Sequence, residues 1–458
     1  MSPREAILPD DAPNRLRATS AIVAGAGLAG LAAAWQLRAW GCDVRVLEAR
    51  ERIGGRVWTV RDGFVEGQHA EAGADLIDED QTTIRAFAER LGLATVRILE
   101  DGFAAYRLDD DGVRALRRGA RGWEELYRRL ADDVRAYHDA GRDWASPVAA
   151  EIGRRSLAQW HRDVGGGRAL RSMLISLRGF FVADPEDLSV LALVDQLSHG
   201  GADGLHRIAA GNDALPSALA RGVNVELGHA VRVVRDDGAR ITVAFTDARG
   251  RSGEASADFL VLALPTPLLR DVAILPALPE RQAEAIARLR HGPATKVSLQ
   301  FDHRFWRAPE RASAVGSDMP HGAVWDASEQ QPGRAGILTL LAGGGASALL
   351  SRRLAEGGVD AVRDDLAWLG AREARVTGRH VVRWEEERWS RGAYAAFDAG
   401  FAPALRPWLA RPHGRVTFAG EHTSERWQGY MNGALESGLR AAREIAALAG
   451  RRESDSTP

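Results

Sequence analysis

Residues 20–48 read SAIVAGAGLAGLAAAWQLRAWGCDVRVLE. A short apolar run meets a glycine-rich turn, an Ala/Leu-rich segment of helical character follows, Gly41 stops it, and a second apolar run ends at Glu48. The pattern predicts a βαβ unit. Gly25, Gly27 and Gly30 stand as G-x-G-x-x-G where the strand becomes helix. The first glycine permits the tight turn, the second lets backbone approach a pyrophosphate, and the third allows close helix–strand packing. With Ala26, Leu28 and Ala29 between them, these residues bring the N–H groups and positive dipole of a helix start to a phosphate. Glu48, at the end of the second run, is placed to accept hydrogen bonds from an adenosine ribose.

Outward from this unit, the composition bounds the rest. A chain of 458 residues is long enough for two large domains. Sixty Lys and Arg against 62 Asp and Glu leave a net charge of −2, so no strong field recruits nucleic acid or an anionic membrane, and a small-molecule partner is expected. No run approaches the ~18 apolar residues of a membrane span, and the first twenty residues lack the apolar core of a secretory signal. A cytoplasmic protein with a flexible leader over residues 1–18 and a disordered tail over 451–458 is the expectation. Cys42 is the single cysteine, which excludes an internal disulfide and a Cys-based metal cluster, and no metal is expected. Every basic residue other than histidine is Arg except Lys296. A compact ammonium kept at one position suggests a task that a planar guanidinium cannot perform.

Directly after the ribose position come Glu51-Arg52-Ile53-Gly54-Gly55-Arg56. Two glycines allow backbone contact with a ligand, and Arg56 offers a bidentate fork for phosphate oxygen. Here the chain resembles the flavin-dependent amine oxidase family, of monoamine and polyamine oxidase type. The resemblance implies an α/β FAD-binding Rossmann-like domain of the glutathione-reductase type, interleaved with an α+β substrate domain. It places the FAD-binding domain at residues 19–77, 205–275 and 386–450, and the substrate domain at 78–204 and 276–385. It also implies that Ala49, Arg50, Gly54 and Gly55 lie along the dinucleotide with Arg56 near the pyrophosphate. Gly73, Ala74 and Asp75 would pass beside the flavin ring, and the backbone of Val231 would hold the adenine.

The far end of the chain carries the most specific stretch, RVTFAGEHTSERWQGYMNGALESGLRAAREIAAL, a short strand, a polar loop and an Ala-rich helix starting near Asn432. The resemblance puts Gly420 and Glu421 by the ribityl and phosphate portion of FAD. It brings Gly429, Tyr430, Met431 and Ala434 to the ring, where the positive helix end stabilises a reduced, anionic flavin. Lys296 sits in the alternating stretch GPATKVSLQFD with Val297 and Leu299 on the opposite face. It resembles the family's lysine that addresses flavin N5 through a water. Tyr394 and Tyr430 match the paired aromatic residues that flank the substrate nitrogen, and Trp389 matches an aromatic position near the flavin. The segment SLRGFFVADPEDLSVLALVDQL and residues around Trp325 are expected to shape the substrate pocket.

The resemblance thus implies an FAD-dependent oxidase that converts a small amine to an imine by hydride transfer to flavin N5, with O2 reduced to peroxide. A homodimer is compatible with it. Where covalent monoamine oxidases carry a Cys just before the first tyrosine, this chain has Ala393, so FAD is expected to be non-covalent. Alternatives are an L-amino-acid oxidase, a flavin dehydrogenase or desaturase of the same superfamily, and a non-catalytic binding protein on this scaffold.

Overall fold

The structure is a computed structural model that describes residues 16–100, 102–109, 112–116, 121–199, 204–308 and 311–455. Its first sheet has five parallel strands in the spatial order Asn224–Glu226, Asp43–Leu47, Ser20–Ala24, Phe259–Leu262 and Val416–Phe418. A parallel sheet must be covered on both faces, and strand alternation divides its side chains accordingly. Ala21, Val23, Val44, Val46 and Val261 pack with the helices Leu28–Ala39 and Met431–Asp455. Ile22, Leu47, Leu260, Leu262 and Phe418 face the other way, in one cluster with Val234, Val243 and Phe245 of a four-stranded sheet. The two helices approach closely because Gly438 has no side chain: a Cβ there would sit 2.2 Å from the carbonyl oxygen of Ala29. This is the expected α/β nucleotide-binding fold.

A second sheet of seven strands is built from Ala294–Phe301, flanked by Gly336–Gly343 and Val376–Arg383, and continues through Ala323–Asp326, Ala314–Ser317, Ala104–Asp109 and Gly112–Leu116. One face of Ala294–Phe301 puts Val297, Leu299 and Phe301 in a cluster with Leu350 and Val362 of the helix Gly345–Asp365. The other face puts Lys296 toward the nucleotide-binding region, where its Nζ is 2.9 Å from the Gly73 carbonyl oxygen. Six helices among the described residues between Arg121 and Ser198 complete this region; the one at Leu157–Asp163 starts with a capping box of Ser156 and Gln159.

Two sequence expectations need correction at the ends. Of the leader assigned to residues 1–18, residues 1–15 lie outside the described residues, and Leu16 is fully buried in the core against the first sheet. An apolar side chain that finds a core is ordered by it. The tail assigned to 451–458 is helical as far as Asp455, because the Ala-rich terminal helix carries on into it; residues 456–458 lie outside the described residues. Among the described residues no helix is long and apolar enough to cross a membrane.

Candidate active site

A cavity of about 490 Å³ runs between the two sheets, and its walls come from both ends of the chain, from Gly25 to Ala434. At one end Gly25, Gly27, Leu28 and Ala29 line it. The helix Leu28–Ala39 begins at Gly27 with no side chain capping it, so its first-turn amides are available to an anion in the cavity. A Cβ on Gly27 would meet nothing within 4 Å, which is open space against the cavity, whereas one on Gly30 would lie 1.9 Å from the Gly25 carbonyl oxygen. Gly30 therefore acts through packing. Ala26 also stands behind the wall, donating its N–H to Glu48 at 2.7 Å and accepting from the Gly54 N–H at 2.8 Å. Glu48 itself lines the cavity; two backbone donors, Ala26 and Arg50, fix its carboxylate and leave lone pairs for a ribose.

Ala49, Arg50, Gly54, Gly55, Arg56 and Trp389 lie in the wall. Arg50 is held by Glu387 and by Ser390 at 2.8 Å. Arg56 is less free than the sequence suggested: its Nη1 donates to Glu421 Oε1 at 2.8 Å. Glu421 also accepts from the backbone N–H of Ala395 at 3.2 Å and of Gly429 at 2.8 Å. Burial opposes its charge, but Arg56 overcomes this and holds the carboxyl far below its ordinary range. Burial likewise pulls His422 down to about 3 and lowers His291, so both rings are neutral near pH 7 and Arg56 is the counter-ion.

The side chain of Val231, whose backbone is expected to hold the adenine, is 9% exposed, packs in the large core cluster with Phe245 and lies outside the cavity wall. The strand register shifts between Val231 and Val233, and Ala230 and Arg232, on either side of Val231, line an adjoining depression of about 940 Å³ with Trp58 and Trp389.

At the middle of the cavity stand Gly73, Ala74, Asp75 and Lys296. Lys296 is 4% exposed; its Nζ donates to Gly73 and, at 3.1 Å, to Asp75 Oδ2, and lies 5.1 Å over the Trp325 ring. Asp75 is gripped from three sides, the others being Arg207 Nε at 2.5 Å and Trp325 Nε1 at 2.9 Å. Burial opposes its ionisation, yet Arg207 and Lys296 hold its carboxyl below the ordinary range, while burial lowers the Lys296 ammonium against the pull of Asp75. Sequence reasoning singled out Lys296 but missed Arg207 and the counter-ion role of Asp75, since pairs 132 and 221 residues apart leave no spacing signal.

Beyond Lys296 the walls turn aromatic and apolar. Tyr394 donates its O–H to the carbonyl of Phe180, and its ring lies so near Gly429 that a Cβ there would come within 2.9 Å of it. Tyr430 accepts from Gln196 Nε2 at 3.3 Å, and burial raises both phenols above their ordinary value. Met431 and Ala434, in the first turn of the terminal helix, bring a second helix N-terminus to the same cavity. Phe103, Phe180, Phe181, Leu188, Ala192 and Trp325 finish the chamber, so the segment around Phe180 and the surroundings of Trp325 do shape it.

Two helix N-termini, the first without a side-chain cap, a glycine cradle and a fixed carboxylate fit a dinucleotide cofactor with an aromatic head reaching Lys296. The chain matches the family described as flavin containing amine oxidoreductase over residues 28–446. It is 29% identical over 456 residues to AofH of Mycobacterium tuberculosis, a protein named after the flavin-containing monoamine oxidases, covering 93% of this chain and 96% of that one. It is 25% identical to the flavin-containing amine oxidase B of Cavia porcellus, covering 93% of this chain and 85% of that one. In fold it resembles cyclohexylamine oxidase from Brevibacterium oxydans, with a TM-score of 0.84 at 24% identity over 95% of this chain and 99% of that one. Putrescine oxidase gives 0.82 at 24% identity over 94% and 99%. The chain belongs to the flavin-containing amine oxidoreductase family, and its cofactor is FAD.

Proposed function

We propose that this enzyme oxidises a small amine to an imine with O2 as the electron acceptor, and that Lys296, Tyr394 and Tyr430 carry the chemistry. The observation that supports this most is the junction in the cavity, where one wall holds the glycine cradle, Lys296 and an aromatic chamber that includes both tyrosines. Bound FAD supplies a two-electron acceptor at its N5 and passes the electrons to O2. The residues do the rest. Neutral phenols, kept so by burial, offer electron-rich ring faces to an amine nitrogen, and Phe180 and Gln196 fix their hydroxyls. Lys296 holds a positive charge in a dry site, where charge on reduced oxygen is stabilised without reorganisation. The apolar walls bind the carbon skeleton and exclude water.

Charge balance favours an amine over an amino acid. The cationic side chains in the wall are Arg50, Arg56 and Lys296, and each is paired with a carboxylate of the protein, leaving no spare cation among the described residues for a substrate carboxylate. Anaerobic titration with alkylamines, arylalkylamines and amino acids is expected to bleach the flavin with amines at least tenfold more efficiently than with amino acids, with peroxide formed in air. Bleaching by amino acids alone, or no peroxide with any amine, overturns the reading.

We further propose that FAD is held without a covalent bond. Ala393 stands where a thiol would be needed, and Cys42 is buried outside the cavity wall with its thiol pushed by burial up to about 12. Acid precipitation is expected to release all the yellow colour into the supernatant; colour retained in the pellet refutes it.

A further inference from the structure

The strand Ile77–Asp78 pairs with Leu205–Ile208, Asp78 lying opposite Leu205. Alternation sends Ile77 into the core beneath the first sheet, while Leu76 and Asp78 on either side of it line the cavity together with Leu205. Asp78 opens an acidic triplet, Asp78-Glu79-Asp80, whose members are treated differently. Glu79 is paired with Arg85 at 2.6 Å and His206 at 2.5 Å, and Asp80 with Arg426 at 3.3 Å. Asp78 receives only the neutral amide of Gln81, at 2.8 Å, and no cation among the described residues balances it.

The other carboxylates in the cavity wall are compensated: Asp75 by Lys296 and Arg207, Glu421 by Arg56, and Glu48 by two backbone amides and Arg50. Burial, followed by Asp80, pushes the Asp78 carboxyl up to about 6, which is the mark of a negative charge lacking its partner. Asp78 is the foremost of the charged neighbours that raise the Tyr430 phenol, so it lies on the Tyr430 side of the chamber, with the apolar surfaces of Phe103, Phe180 and Leu205 also in that wall.

We infer that Asp78 is a distal-cation subsite of this cavity, and that the preferred substrate carries a second positive charge, as a linear diamine or an aminoalkylamine does. This rests on the amine-oxidase reading. One amino group meets the tyrosines as the free base, the methylenes lie on the apolar walls, and the far ammonium donates to Asp78. A charge-assisted hydrogen bond at a partly buried carboxylate is stronger than a neutral one and replaces the cation that the protein withholds.

The test is kcat/KM for α,ω-diaminoalkanes of three to six carbons against n-alkylamines of the same length, on FAD-loaded wild type and Asp78→Asn. The wild type is expected to prefer the diamine by about 10- to 100-fold at one length, the range expected of a hydrogen bond to a charged group. Asp78→Asn is expected to collapse that ratio, mainly through KM. Asp78→Glu is expected to keep the preference and move the best length one carbon shorter, which a merely structural role would not do. An equal ratio in wild type and Asp78→Asn overturns the subsite, as does an n-alkylamine that matches the diamine at every length. Where Asp78→Asn does not accumulate as a flavoprotein, the wild-type length series decides alone. If n-alkylamines bleach the flavin and diamines do no better, only the subsite falls; if no amine bleaches it, the oxidase reading falls and the subsite with it.

Discussion

Replacing Lys296 with Met is expected to slow the reaction of the amine-reduced enzyme with O2 by about 100-fold while leaving a folded, yellow protein. The magnitude follows from removing one preorganised charge from a water-poor site, which costs roughly 10²–10³ in rate. The fold survives because Asp75 keeps Arg207 and the Trp325 indole, so no buried carboxylate is left bare. The amine half-reaction is expected to change by less than tenfold. Lys296→Arg should not rescue, since a planar guanidinium is too broad for a site where the ammonium is 4% exposed and already fitted between Gly73 and Asp75. Stopped-flow mixing of the reduced enzyme with oxygenated buffer measures this. Reoxidation within threefold of the wild type would leave Lys296 a purely structural cation.

Arg56→Ala is expected to destabilise the apoprotein by about 3 kcal/mol at pH 7, the low end of the cost of stripping one partner from a buried ion pair, because Arg56 keeps 22% of its side-chain surface in solvent. The pH dependence is the sharper signature. In the wild type the Glu421 carboxyl is held below its unfolded value of about 4.3, so its contribution is present above that value and is lost as pH falls through the depressed folded value. Without Arg56, burial dominates and pushes the carboxyl up. Its contribution is then present only below the unfolded value and is lost as pH rises. The stability deficit of the variant should therefore widen from pH 4 to pH 7, as read by urea denaturation of the two apoproteins. A deficit that is constant over this range means that Arg56 and Glu421 do not share charge in the way their 2.8 Å contact implies.

The features legible in the sequence were those with a local cause. The cradle at Gly25, Gly27 and Gly30 follows from chain geometry at one turn, and Lys296 was conspicuous because no other lysine exists. The segment around Phe180, expected to shape the substrate pocket, does line the cavity. What escaped was pairing across the fold. Arg56 meets Glu421 over 365 residues and Arg207 meets Asp75 over 132, and among so many arginines no pattern marks which two face inward. Asp78 lay unremarked inside an acidic triplet that reads as solvated surface until the partners of its two neighbours are known.

The lining of the cavity, gathered from Gly25 at one end of the chain and Ala434 near the other, has a consequence for the life of the protein in a cell. Until a cofactor fills that space, the segments around it have little but each other's edges to hold them, and a ligand at a hundredfold excess over its dissociation constant adds about 2.7 kcal/mol to the folded state. Newly made chains thus compete between loading and degradation. Riboflavin starvation should lower the amount of this polypeptide, and not merely its turnover number.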